Sequence, residues 1–161
     1  MQILEKIIVY FIECFLMVGA GLGLIGIRPK VKTMLLISII QALLVYNIRI
    51  LYIKNNIPFG THTLLLLISF IILLKFIGKQ RSLDSIIATL ISFLLIMWGD
   101  GVFLFPLLRL LKLNPQTLMC KHGGLLLAGL LANLLLIITF FIGYILKITI
   151  IDFNHFHENN E

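Results

Sequence analysis

The chain has 161 residues, of which 60% are hydrophobic and only 12% are charged, and its mean hydropathy is +1.11. A soluble domain is about 45–50% apolar and about 25% charged, so this composition excludes an ordinary soluble enzyme and predicts an all-α membrane helical bundle. The net charge of +6 does not indicate nucleic-acid binding, because the basic residues stand between apolar runs, where such residues set membrane topology.

Five apolar runs are long enough to predict transmembrane helices, because a spanning helix needs roughly 20 mostly apolar residues. In chain order they cover about residues 7–27, 33–53, 62–78, 85–108 and 125–147. Together they predict one transmembrane domain over residues 1–147, followed by a polar tail over 148–161. The first run is about 21 residues long, whereas the apolar core of a signal peptide has about 7–15, so we expect it to be retained.

The charges in the loops predict the orientation of the chain. Five spans place the two termini on opposite sides, and basic residues are enriched on the cytoplasmic side. The side with the first loop, the third loop and the tail carries seven basic residues, and the other side carries six. The seven are Arg28, Lys30, Lys32, Lys75, Lys79, Arg81 and Lys147, and the six are Lys6, Arg49, Lys54, Arg109, Lys112 and Lys121. We therefore expect a multi-pass protein of the cell membrane with its N-terminus outside and its C-terminus in the cytoplasm.

Each predicted span carries a polar residue displaced toward the same face of the membrane. With a rise of 1.5 Å per residue, Glu13 lies about 6 Å and Asp100 about 5–6 Å from the middle of their spans. Arg49 is displaced in the same direction by roughly 9 Å and Asn133 by about 4–5 Å. His62 opens the third span on that side. These five positions predict one polar cluster in the outer half of the bundle.

Asp100 stands between Gly99 and Gly101 in an otherwise apolar stretch. An isolated carboxylate at this depth is tolerated only with a partner, a proton or water, and Arg49 is the cation deep enough to meet it. The two glycines would let a neighbouring helix approach closely. The cluster is interpreted either as a ligand-binding or switching cavity or as a structural group that fixes helix register.

Small residues in the first span predict a close-packing face. Gly19, Gly23 and Gly26 fall on one side of the helix, and Gly19 and Gly23 form a GxxxG pattern. Such patterns allow two helix backbones to approach closely. The face serves either the interior of the bundle, which we favour because five helices need tight contacts, or a homodimer.

The cysteines and the remaining histidines do not form a convincing chemical motif. Cys14 and Cys120 lie far apart and show no metal or redox spacing. Cys120 and His122 are two residues apart and face different ways on a helix, so they do not make the nucleophile and base that a cysteine peptidase needs. His155 and His157 stand in a short polar tail, which we interpret as solvated. We therefore predict no catalytic residue, no metal site and no cofactor.

Three stretches resemble, in their order along the chain, the membrane-spanning N-terminal sensor region of Firmicute-type sensor histidine kinases with GHKL ATPase domains. They read "IECFLMVGAGLGLIGIRPKVK", "IPFGTHTLLLL" and "WGDGVFLFPLLRLLKL", and the resemblance covers about residues 7–125. The positions that match the family's pattern are Glu13, Arg28, Pro29, Pro58, Gly60, His62, Gly99 and Asp100.

The resemblance implies a non-enzymatic sensor or signalling module with its C-terminus in the cytoplasm. Its partners would be the lipid bilayer and a protein, such as a separate histidine kinase of a two-component system or a second copy of the chain. No H-box, ATP-binding motif or glycine-rich lid occurs in the 161 residues, so we expect no kinase activity from them. The alternatives are a small permease or substrate-binding subunit of a membrane transporter, and a membrane peptidase of the accessory-gene-regulator processing type.

Overall fold

A computed structural model describes residues 2–55, 61–110 and 124–149, and within these ranges the chain is helical and has no β-strand. Helix α1 is Gln2–Leu24, α2 is Val31–Lys54, α3 is Thr61–Phe76 and α4 is Ser82–Trp98. A first π-helical segment, Gly99–Leu104, leads directly into α5, Phe105–Leu110. The last part comprises α6, Gly124–Ala132, α7, Leu134–Phe140, and a second π-helical segment, Phe141–Ile145. The all-α prediction is confirmed for these ranges.

The number of membrane-spanning helices differs from the prediction. Two helices, α1 and α2, are long and apolar enough to cross a membrane, and a third crossing is reached if the pair Leu126–Ala132 and Leu134–Ile145, bent by 58°, counts as one span. Helices α3 and α4 are apolar but shorter. At 1.5 Å per residue, a helix of 16 residues extends about 24 Å, less than the roughly 30 Å hydrocarbon core. The predicted five spans are therefore not confirmed.

Helix α1 lies at the centre of the bundle. It contacts α2, α4 and each helical segment from Gly124 to Ile145, whereas α3 packs on α2 and α4. Val18, Ala20 and Leu22 of α1 have no exposed surface. A helix that is apolar on every side is expected in such a position, because each face can be buried against a different neighbour.

The contacts of α1 define the directions of its neighbours. Met17 of α1 meets Ser92 of α4, and a Cβ at Gly21 would collide with Ala88. The α4 partner number falls as the α1 number rises, so these two helices are antiparallel.

The last helical segments run parallel to α1 along its length. A Cβ at Gly129 would stand 2.7 Å from Val9, and one at Gly23 would stand 2.9 Å from the carbonyl carbon of Gly143. Partner numbers rise together in this series, which is the signature of a parallel pair. Since the same segments follow α1 on both sides of their 58° bend, the bend keeps the chain on the surface of α1.

Helix α2 buries polar residues and exposes apolar ones. Ser38 and Gln41 are 0% and 2% exposed, whereas Leu36, Ile39 and Leu43 are about half exposed. In water this arrangement would place the hydrophobic face against the solvent. In lipid it is the expected one, because polar side chains then find their partners inside the bundle, as Gln41 does at the Leu66 carbonyl of α3.

Helix α1 ends in a Schellman motif. Gly26 has φ +84°, its N–H donates to the Gly23 carbonyl (3.1 Å), and the Ile27 N–H donates to the Leu22 carbonyl (2.9 Å). A glycine is favoured at this left-handed position because it has no Cβ. Pro29 follows and cannot continue the helix. The predicted packing glycine at position 26 is thus primarily a helix-terminating residue.

Candidate functional site

Arg49 of α2 reaches across to Tyr10 of α1. Its Nη1 donates a hydrogen bond to the Tyr10 hydroxyl at 2.9 Å, and the guanidinium carbon lies 4.6 Å from the centre of the same ring. A cation over an aromatic face contributes roughly 0.5–1 kcal/mol when exposed and about 2 kcal/mol or more when desolvated. An exposed arginine in an apolar helix is therefore held by an aromatic residue that the sequence did not indicate.

Glu13 lies one turn further along α1 and shares its neighbourhood with Arg49. Residues three apart on a helix are neighbours, so Glu13 lies beside Tyr10, the partner of Arg49, and Glu13 is itself engaged in an interaction. Cys14 is buried and packs with Val45 of α2 and Leu66 of α3. Tyr10, Glu13 and Arg49 therefore lie where three helices meet, beside a cysteine that is shielded from reagents. These three residues differ from the five predicted positions, and from here on the name polar cluster refers to these three.

His62 lies at the start of α3, next to the end of α2. Its ring meets the ring of Tyr52 edge-on, with 5.7 Å between the centroids, and it is also engaged in a further interaction. Tyr52 follows Arg49 by three residues and so lies about one turn away on α2. The structure thus places His62 at the same end of the bundle as the polar cluster.

Asp100 lies in the first π-helical segment, and its side chain is outside the described residues. Its neighbour Gly99 packs so closely that a Cβ there would collide with the Ala132 carbonyl oxygen. Gly101, in contrast, has no described atom within 4 Å of a Cβ position. The predicted close approach therefore exists at Gly99, but Gly101 is an exposed position and takes no part in it.

Asn133 is buried, with 5% of its surface exposed. Its backbone dihedrals of −86° and 8° depart from helical values, and it separates α6 from α7 at the bend. A π-helical segment and a helix break therefore touch each other at Gly99 and Ala132. Irregular helix geometry of this kind occurs often at functional sites.

The contacts along α1 show how the polar positions relate in depth. Gly129 meets Val9, so Asn133 lies at the level of Glu13, four residues further along both parallel segments. Gly99 contacts Ala132, which brings the backbone of Asp100 to the same level. The structure thus separates the predicted set into the polar cluster with His62 near α2 and a second group, Asn133 and the backbone of Asp100, on the other side of α1.

Hydroxyl and amide side chains that the sequence reading did not select connect the helices. The Gln41 amide donates to the Leu66 carbonyl (3.2 Å), and the Ser69 hydroxyl donates to the Gln41 amide oxygen (3.1 Å). The Ser92 hydroxyl donates to the Met17 carbonyl (2.8 Å). Ser92 follows Ser85 and Thr89 at helical spacing, and none of the three is exposed. That spacing is the signal that could have revealed this face.

At the opposite end of α1, the first loop is bonded to the point where the last helix ends. Arg28 Nη2 donates to the Lys147 carbonyl and the Tyr144 hydroxyl donates to the Pro29 carbonyl, each at 2.9 Å. Pairs separated by 119 and 115 residues are thereby joined. We call these two hydrogen bonds the exit contact, because they join the first loop to the end of the last described helical segment.

Several other predicted positions lie outside the described residues. They are the turn residues Pro58 and Gly60, the pair Cys120 and His122, and the tail histidines His155 and His157. Within the ranges that the structure covers, no three histidine, cysteine or carboxylate side chains come together to hold a metal ion. The chain matches no protein-family model, no curated protein and no solved structure.

Proposed function

We propose that the chain is a non-enzymatic sensor or signalling module of the cell membrane, as the resemblance to sensor-kinase input regions implies. In this proposal the polar cluster receives the signal and the exit contact passes it on, to a separate kinase or to a second copy of the chain. The observation that supports it is the position of α1. This central helix carries Tyr10 in its first half and Glu13 at its middle, and it leads directly into Arg28 and Pro29 after its end.

Coupling between the two sites can be tested with spin labels. Cysteines at Val31 and Ile148, both about half exposed, would report the distance across the exit contact in a chain whose Cys14 and Cys120 are changed to alanine. We expect Arg49→Gln to shift this distance distribution, because it removes the charge from the polar cluster. Lys54→Gln, which removes an exposed cation at the same end of the bundle, is the control. An unchanged distribution in Arg49→Gln would contradict the proposal.

The proposal includes five crossings with the C-terminus in the cytoplasm. Helices α3 and α4 would then cross together with their flanking residues, and α4 would do so with the π-helical segment and α5. A reporter that is active only in the cytoplasm should be active when fused after Glu161. Activity of an exclusively extracytoplasmic reporter at this position would contradict the orientation.

A small permease is the second candidate, and the meeting of Gly99 with Ala132 favours it. Transporters bind substrates where helices are broken near the membrane centre, and here a π-helical segment touches a bend. Gly101→Cys separates the two functions, because the position has open space around it. Labelling by a membrane-impermeant maleimide from both sides of sealed vesicles indicates alternating access and hence a permease. Labelling from one side supports the signalling module.

A further inference from the structure

Six exposed basic residues gather where α1 ends, and we call this surface the basic end. Arg28 contacts Lys147, and the antiparallel packing of α4 on α1 brings the start of α4 beside the end of α1. Ile27 and Ile77, from the first and third loops, pack against the same core cluster. Asp84 is the acidic residue that the described ranges place here. The six basic residues are Arg28, Lys30, Lys32, Lys79, Arg81 and Lys147.

Two of these lysines adopt a backbone conformation that favours glycine. Lys79 has φ +53° and Lys147 has φ +62°, a left-handed conformation that is strained for residues with a Cβ. The residue after each donates its N–H to a carbonyl six residues back, Gln80 to Leu74 (3.3 Å) and Ile148 to Ile142 (3.2 Å). Two helices that point in the same direction thus end in the same way, each with a lysine where glycine would relieve the strain.

The other two helices begin at this end with a basic residue at the N-cap. Lys30 precedes α2 and Arg81 precedes α4, both with extended backbone and without a side-chain capping hydrogen bond. Ser, Thr, Asp and Asn are the preferred N-caps, and a cation is disfavoured beside the positive end of a helix dipole. Each of these four helix ends therefore carries a basic residue where another residue type would stabilise the helix more. Glycine is favoured at the two C-terminal ends, and Ser, Thr, Asp or Asn at the two N-caps.

Large apolar side chains are exposed among these charges. Val31, Phe76, Leu83 and Ile148 are 51%, 71%, 72% and 52% exposed. Basic and apolar side chains at the ends of apolar helices belong at the boundary between headgroups and acyl chains. This mixture fits a lipid surface better than a nucleic acid or an acidic protein, because those partners would leave the apolar side chains in water.

We propose that the basic end binds the phosphate groups of anionic phospholipids, and that Lys79 and Lys147 at their strained positions contribute to this contact. Each basic residue near an anionic bilayer surface strengthens binding to it by roughly fivefold. The proposal depends on membrane insertion of the helices and is independent of the signalling function.

Bound lipids can be counted to test the proposal. The full chain would be reconstituted into vesicles of equal parts phosphatidylglycerol and phosphatidylcholine, extracted mildly and analysed by native mass spectrometry. We expect wild type to retain phosphatidylglycerol preferentially, and Lys79→Gly/Lys147→Gly to lose this preference by roughly fivefold for each lysine removed. The thermal unfolding temperature of the Lys79→Gly/Lys147→Gly variant in a zwitterionic detergent should equal or exceed that of wild type, because glycine relieves the left-handed strain.

Matched variants distinguish charge from backbone effects. Lys79→Arg/Lys147→Arg should keep the preference, whereas Lys79→Gln/Lys147→Gln should lose it and serves as the test if the glycine pair fails to fold. Lys6→Gln/Lys54→Gln removes two exposed lysines from the opposite end and should leave the preference unchanged. Equal losses at both ends, full retention without Lys79 and Lys147, or displacement of the lipid by inorganic phosphate at matched ionic strength would overturn the proposal.

Discussion

Helix α1 is connected to its neighbours by different kinds of contact at the polar cluster in its first half and at the exit contact beyond its end. At the exit contact, Arg28 and Tyr144 donate to main-chain carbonyls, whose positions are set by the backbone. In the polar cluster, Arg49 meets Tyr10 through side chains alone. Two side chains must both give up rotamer freedom to stay together, so such a contact rearranges more easily. We therefore expect the exit contact to be the more rigid of the two.

The difference bears on how a signal would travel. A side-chain contact can be remade by a ligand or a change in protonation, whereas a backbone contact moves mainly when a helix moves. Because α1 is packed on several neighbours along its length, a displacement at its start would have to move those neighbours too. The following predictions test each end in turn.

The largest effect is expected where α1 meets the second π-helical segment, next to the exit contact. Gly23→Leu introduces a residue that favours helix but places a Cβ 2.9 Å from the Gly143 carbonyl carbon. Because the clash is with backbone, we expect a cost at or above about 3 kcal/mol, the upper part of the range for overpacking. Thermal unfolding in detergent measures it.

Gly101→Ala is the matched control for the Gly23 variant. No described atom lies within 4 Å of its Cβ position, and alanine is favoured over glycine within a helix by up to about 1 kcal/mol. The unfolding temperature should therefore stay the same or rise. Equal destabilisation of the two variants would show that glycine content, not the contact between helices, explains the result.

The next effect concerns the polar cluster. We expect Arg49→Leu to destabilise the fold by about 1–3 kcal/mol, the cost of leaving a polar partner unsatisfied, since Tyr10 loses its donor and Glu13 loses a nearby positive charge. Glu13→Gln should cost less, because an amide still forms hydrogen bonds. Chemical denaturation of both variants in the same detergent gives the comparison. A larger cost for Glu13→Gln would show that Arg49 is not the central member.

A smaller effect is expected at the exit contact itself. Tyr144→Phe removes the hydroxyl that donates to Pro29 but keeps the ring, which stacks on Phe140 with 5.2 Å between centroids. We expect a loss of about 1 kcal/mol, the usual net contribution of one hydrogen bond. Hydrogen exchange of the backbone amides near Ile148 should increase in parallel. Unchanged exchange would contradict the assignment of rigidity to this contact.

The smallest effect lies between the two ends. Ser92→Ala removes a hydroxyl that lies 2.8 Å both from the Met17 carbonyl oxygen of α1 and from the Ala88 carbonyl oxygen of its own helix. Hydrogen bonds between membrane helices contribute about 0.6 kcal/mol on average. Ser38→Ala is the control, because the Ser38 hydroxyl bonds to Met34 of its own helix at 2.7 Å. Unfolding temperatures should fall more for Ser92→Ala than for Ser38→Ala. The reverse order would mean that the hydroxyl does not hold α4 to α1.

The sequence favoured one cluster of the polar residues Glu13, Arg49, His62, Asp100 and Asn133 from their depth along five predicted spans. This cluster stays a prediction, because the five spans are not confirmed and the side chain of Asp100 lies outside the described residues. Depth alone could not find Tyr10, because an aromatic residue in an apolar run looks like packing. Depth also gave no reason to distinguish Gly99 from Gly101. The two glycines differ in which neighbouring atoms they face, and this depends on the packing of the helices.

By itself, the sequence determined that the chain is helical and that at least its first helices are long and apolar enough for a membrane. Composition and the length of apolar runs suffice for this, because both depend on the chain and its solvent alone. Only the tertiary structure decided that α1 is central, that Gly23 meets Gly143 and that Arg28 meets Lys147. In helices that are apolar on nearly every side, periodicity does not show which face meets which neighbour, so the pairing of helices and the four basic helix ends emerge only when the chain is packed.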